Sequence, residues 1–154
     1  MALDDIGIKE RSIIQATPWH LVKGSITLFS GETITFPITE SKVREIEFYY
    51  FGGAIELDDL KEDKRVPGVD KRLILIRPNE KGHIEEEITG REAEVSKLLK
   101  VSIDIVRERS QVLTRRDKIG RTGVYLNRVL MHDESFEQVL KVICDKDSNV
   151  RRRG

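Results

Sequence analysis

The sequence predicts an α+β fold: an antiparallel β-sheet or open barrel of about five or six strands, packed by one long amphipathic helix and closed by a short C-terminal helix. Three observations carry this expectation. Partly alternating, β-branched runs fill much of residues 19–90 and are punctuated by turn residues. At Thr89 the apolar spacing changes from two residues to three and four. From Arg91 to Ile119 there is neither Gly nor Pro, so no helix breaker interrupts that stretch.

The chain has 154 residues, the length of one ordinary domain with a single core. By pattern it reads as a single domain, 1–154, with an N-terminal segment 1–18, a β-rich part 19–90, a helix or helix-turn-helix over 91–119, and a strand with a C-terminal helix over 120–154. In the β-rich part, "HLVKGSITLF" and "ETITFPI" flank Ser30 and Gly31, which is hairpin chemistry because Gly accepts the positive φ of a tight turn. Pro37 has no N–H to give a ladder and belongs at a strand end or an edge. "KVREIEFYYFGG" is read as a further strand, stopped by Gly52 and Gly53. The polar excursion "AIELDDLKEDKRVPGVDK" is read as an exposed connection, or a binding loop. "RLILIRP" is almost continuously apolar and predicts a central strand, which "NEKG" turns into "HIEEEIT".

Thr89 and Glu92 have capping-box spacing, so a helix is expected to start there. Val95, Leu98, Leu99, Ile105, Val106, Val112 and Leu113 then form one helical stripe. Against a single helix, "KVSIDIV" is rich in β-branched residues, and Ser102 and Asp104 favour caps. A break near Val101 and Ser102 is equally natural. "GVYLNRVL" predicts a strand, and "HDESFEQVLKVICD" a short helix capped by Asp133 or Ser135, with Phe136, Val139, Leu140 and Ile143 inward. The single cysteine, Cys144, falls near that apolar face and reads as a structural thiol.

Charged residues make up 35% of the chain, with 27 basic and 27 acidic side chains. The zero net charge hides an asymmetry: residues 1–90 hold 12 basic and 17 acidic side chains, residues 91–154 hold 15 and 10. The densest basic run contains Arg107, Arg109, Arg115, Arg116, Lys118, Arg121 and Arg128, against only Glu108 and Asp117. These seven are the candidate partner- or phosphate-binding residues. The acidic N-terminus "MALDDIGIKE" is unlike a secretory signal, and no apolar run is long enough for a membrane span, which predicts a cytoplasmic protein with no membrane insertion.

The stretch "EVSKLLKVSIDIVRERSQVLTRRDKIGRTG", Glu94 to Gly123, resembles the helix-turn-helix family in its winged-helix branch. The resemblance implies Val95, Leu98 and Leu99 in a positioning helix, Ser102 capping a recognition helix, Val106 and Leu113 in the core, and exposed arginines toward DNA. Three departures accompany it. Lys100 stands where the turn commonly has Gly, Ser110 occupies an expected apolar position, and strand-like "GHIEEEIT" precedes where a first helix should be. The order of elements is also similar to PH-like domains, with "RLILIRPNEKGHIEEEIT" as the last hairpin and "GREAEVSKLLKVSIDIVRE" as the closing helix. That resemblance implies a non-catalytic docking unit, such as an adaptor of the archaeal taxis type.

Motifs for catalysis are sparse. His20, His83 and His132 are isolated, without metal-ligand spacing. "LDDLKED" gathers acids but lacks the Gly and terminal Glu of a calcium loop, and "KIGRTG" lacks the Gly-Lys-Ser/Thr of a phosphate-binding loop. Cys144 has no neighbouring base in sequence. The expectation is a non-enzymatic docking or assembly module with no cofactor and no metal, binding a protein partner or a second copy of itself. The alternatives are a DNA-binding regulator using residues 107–128, and an enzyme whose residues converge only in the fold.

Overall fold

The computed structural model describes residues 7–120 and 123–153. In chain order they form β1 (Ile8–Gln15), β2 (Lys23–Leu28), β3 (Thr33–Pro37), α1 (Val43–Gly52), α2 (Leu57–Lys61), β4 (Gly68–Val69), β5 (Ile74–Asn79), β6 (Gly82–Glu87), α3 (Glu92–Leu99), α4 (Ile103–Ile119), β7 (Leu126–Val129), α5 (Phe136–Lys146) and α6 (Ser148–Arg151). The α+β class is as the sequence predicts, and every strand pairing is antiparallel. Seven strands are present among the described residues, in two sheets, β3-β2-β1-β7 and β4-β5-β6. Contacts divide the chain into two compact units, one from the described residues of Met1–Ser41 and Thr122–Gly154, the other from those of Lys42–Arg121.

In the first unit the N-terminal segment supplies a strand that the sequence did not announce. β1 is an inner strand, with β2 on one side and β7 on the other, pairing Ser12 with both Ser25 and Val129. Inner strands lose the clean alternation of a half-exposed one, and Ser12, Ile13 and Gln15 are all buried. The charged Lys9, Glu10 and Arg11 hide the pattern further. The β2–β3 hairpin turns as expected, with Gly31 at φ 103°, and Pro37 ends the edge strand β3. β7 occupies the predicted "GVYLNRVL" stretch. α5 starts on a capping box, in which the Gln138 N–H donates to Ser135 Oγ at 3.2 Å and the Ser135 N–H to Gln138 Oε1 at 3.3 Å. Its inner face brings Phe136, Val139, Leu140, Ile143 and Cys144 onto Ile13, Val22, Leu130 and Val150. Burial pushes the Cys144 thiol up, as expected of a packing group.

The second unit overturns the reading of "KVREIEFYYFGG" as a strand: it is helix α1. Arg44, Glu47, Phe48 and Phe51 recur at i, i+3, i+4 and i+7, so they share one face of a helix. Half of that stripe is charged, so an apolar count misses it. The β-rich part therefore also holds the exposed turn-and-a-bit of α2, inside the polar excursion. β5 lies between β4 and β6 and is central as expected, Leu75 being 1% exposed. The expected single long helix is two: α3 ends at Leu99 and α4 starts at Ile103. Thr89 is not the cap of α3; the N-cap is Arg91, and the Glu92 carboxylate reaches back to accept from the Gly90 N–H at 3.2 Å. The core joins Phe51, Val69, Leu75, Ile88, Val95, Leu99, Val101, Ile105, Val106 and Leu113.

Candidate functional site

The turn between α3 and α4 is built from three backbone devices. Lys100 takes the left-handed conformation, φ 55° and ψ 41°, and its N–H donates to Ser96 O. The Val101 N–H donates to the same carbonyl at 3.1 Å, and Ser96 Oγ donates to Val101 O at 2.7 Å. Ser102 then caps α4, its hydroxyl accepting from the Ile105 N–H at 3.4 Å. α1 holds this turn in place. The Glu47 carboxylate accepts from the Ser102 N–H at 2.6 Å and from Ser102 Oγ at 3.1 Å. Further along α4, Arg44 pairs with Glu108, and the Arg109 guanidinium stacks 3.8 Å from the centre of the Phe48 ring.

α4 carries two opposed stripes. Ile105, Val106, Arg109 and Leu113 point into the unit and are buried. Arg107, Gln111, Thr114, Arg115 and Lys118 are exposed, and their spacing of four, three, one and three residues places them on a single face. At 1.5 Å per residue this face runs for about 16 Å from Arg107 to Lys118. Among the described residues Arg107, Arg115, Arg116 and Lys118 make no ion pair, whereas Arg44, Arg72, Arg77, Arg91 and Arg128 are each bridged to a carboxylate.

The seven residues singled out in the sequence thus separate. Arg107, Arg115 and Lys118 share the outer face of α4, and Arg116 is exposed beside it. Arg109 faces inward. Arg128 lies on β7, in the other unit, where its Nη2 donates to both oxygens of Glu134 at 2.8 and 3.0 Å. Arg121 falls outside the described residues. The polar members of the face, Gln111 and Thr114, and the α1 supports, Arg44, Glu47 and Phe48, were not picked out. Helical spacing from Arg107 would have found the first two. The supports required recognising α1 as a helix.

No family model, curated protein or solved structure matches the chain. Among the described residues no group of three or more His, Cys, Asp or Glu side chains is placed to hold a metal ion, and no helix is long and apolar enough to cross a membrane. Chemically, the outer face of α4 offers fixed positive charge flanked by an amide and a hydroxyl, with Asp104 the acid at its N-terminal end. Such a surface attracts an extended anion and donates hydrogen bonds to it.

Proposed function

We propose that the chain is a non-enzymatic, cytoplasmic binding module that grips a polyanion with the outer face of α4, and that the polyanion is duplex DNA. The observation that carries this reading is the row of Arg107, Arg115 and Lys118, without carboxylate partners among the described residues, where Arg44, Arg72, Arg77, Arg91 and Arg128 are each bridged to one. The break at Lys100 supports it, because a short helix joined by a tight turn to a longer one, and braced by a third, presents that longer helix as a rigid rod. α1 supports the reading only as a brace on the turn, since α2 and three strands separate it from α3 in the chain. A row about 16 Å long can follow a major groove about 12 Å wide, with arginine and lysine on phosphates and Gln111 and Thr114 within reach of base edges.

A salt titration tests the reading. Binding of a fluorescent duplex is followed by anisotropy for the parent and for the Arg115→Ala/Arg116→Ala double variant. Each phosphate contact removed should flatten the slope of log K against log salt by about one unit. Equal slopes, or no binding near about 100 μM protein, removes DNA as the partner.

A second reading, docking onto an acidic protein or a second copy of the chain, is favoured by one observation. Ile119, at the tip of the same helix, is 70% exposed, and an apolar tip suits a protein groove better than a phosphate backbone. Under that reading DNA stays unbound, while light scattering shows an assembly that Ile119→Ser dissolves.

A further inference from the structure

Arg109 is unlike the arginines of the outer face. It is 9% exposed, and its Nε finds no hydrogen-bond acceptor among the described residues. The aromatic face of Phe48, 3.8 Å away, is the contact it does make. A cation–π contact returns less than a guanidinium loses on leaving water, so the arrangement leaves a positive charge under-compensated. Burial, and secondarily the nearby Arg116, push its pKa down to about 10, and at neutral pH it remains a cation.

Glu108, the neighbouring carboxylate on α4, and Asp70, on the lining of the same cleft, are both already engaged. Glu108 is paired with Arg44. Asp70 accepts from Arg72 Nε at 2.6 Å, from the Arg72 N–H at 2.8 Å and from the Ile74 N–H at 3.0 Å. Arg109 lines a cleft of about 590 Å³ together with Asp70, Lys71 and Arg72, and the apolar walls of that cleft are Phe48, Phe51, Val69 and Leu113. The volume is within the range of small-molecule sites, and an open apolar wall here lies beside charged groups that could fix orientation.

We propose that this cleft of the Lys42–Arg121 unit binds a small organic carboxylate, with the carboxylate on the Arg109 guanidinium and the apolar body among Phe48, Phe51, Val69 and Leu113. A planar guanidinium matches a carboxylate fork. The apolar walls disfavour a bare, strongly hydrated phosphate. Arg109 belongs to the inward stripe of α4, so the site is separate from the outer face assigned to DNA and does not depend on that assignment.

The experiment uses the full chain and three probes: hydrocinnamate, its neutral amide, and inorganic phosphate. Titrations are followed by calorimetry and by the ¹H–¹⁵N signal of Arg109 Nε–H. Hydrocinnamate should bind, displace that signal, and bind at least tenfold more tightly than the amide, since a charge-assisted hydrogen bond distinguishes them. Arg109→Met should lose at least tenfold in hydrocinnamate affinity while remaining folded, because an apolar side chain of similar reach replaces an unpaired buried charge. The proposal is overturned if hydrocinnamate leaves the Nε–H signal in place, if amide and carboxylate bind equally, if phosphate binds in preference, or if a folded Arg109→Met variant binds as the parent does. Should that variant unfold, the parent's Nε–H signal and the carboxylate-to-amide ratio decide alone.

Discussion

Lys100 holds φ 55° and ψ 41°, a region where the side chain of an L-residue crowds the following carbonyl and glycine does not. Lys100→Gly should therefore stabilise the protein by about 0.5 to 1 kcal/mol, the relief of strain being partly offset by the greater freedom of glycine in the unfolded chain. Urea unfolding measures this, and a loss of stability would count against the left-handed turn. Asp70 gives a pH-dependent counterpart. Burial raises its carboxyl, but the N–H of Ile74 and the side chain and N–H of Arg72 outweigh that and hold it below its ordinary value. A folded pKa below the unfolded one means stability that is present above about pH 4 and lost as pH falls through the folded value. Asp70→Asn should cost about 1 kcal/mol at pH 7, and the gap to the parent should close on acidification below about pH 4. At this scale the sequence was informative about Ser102, Ser135, Pro37 and Gly31, whose roles are local. It singled out Lys100 only as a departure from a motif, because nothing in a lysine announces positive φ.

Among the elements, α1 is the one whose nature was misread, and Gly68 shows what it requires. A Cβ at Gly68 would stand 2.5 Å from Gly52 O and 2.7 Å from Gly53 N, so the C-terminal end of α1 meets β4 backbone to backbone. Gly68→Ala must push the two apart, at a cost of about 1 to 3 kcal/mol. Because α1 braces the α3–α4 turn through Glu47, the amides of Ser102 and Ile105 should exchange faster in that variant, as hydrogen exchange would show; unchanged protection there would mean that α1 does not hold the turn. The β-hairpins and α5 were legible because their signals lie in neighbouring residues: a glycine turn, a capping box, an apolar stripe. α1 was not, since "VREIEFYYF" satisfies a strand by propensity and a helix by spacing. β1 was not, because its charged residues hide the pattern and one of its two flanking strands, β7, is distant in the chain.

For the whole molecule, each unit has its own core. Leu75→Ala and Val139→Ala each remove a buried side chain and should destabilise by about 2 to 5 kcal/mol for the leucine and rather less for the smaller valine. Exchange should rise first in β5 and β6 for Leu75→Ala and in α5 and β1 for Val139→Ala; uniform acceleration across both units would argue for one cooperative core instead. The sequence by itself determined the α+β class, the antiparallel hairpins, the C-terminal helix and the basic bias of the second half, because propensity, turn chemistry and charge act within a few residues or simply add. Only the tertiary structure decided that 91–119 is two helices, that the N-terminal segment is an inner strand, that Arg128 is spent on Glu134, and that Arg109 turns inward while Arg107, Arg115 and Lys118 turn outward. These outcomes depend on which distant residue arrives as a partner. Whether an arginine is a free binding group or a structural ion pair is settled by that arrival, and nothing in its local sequence records it.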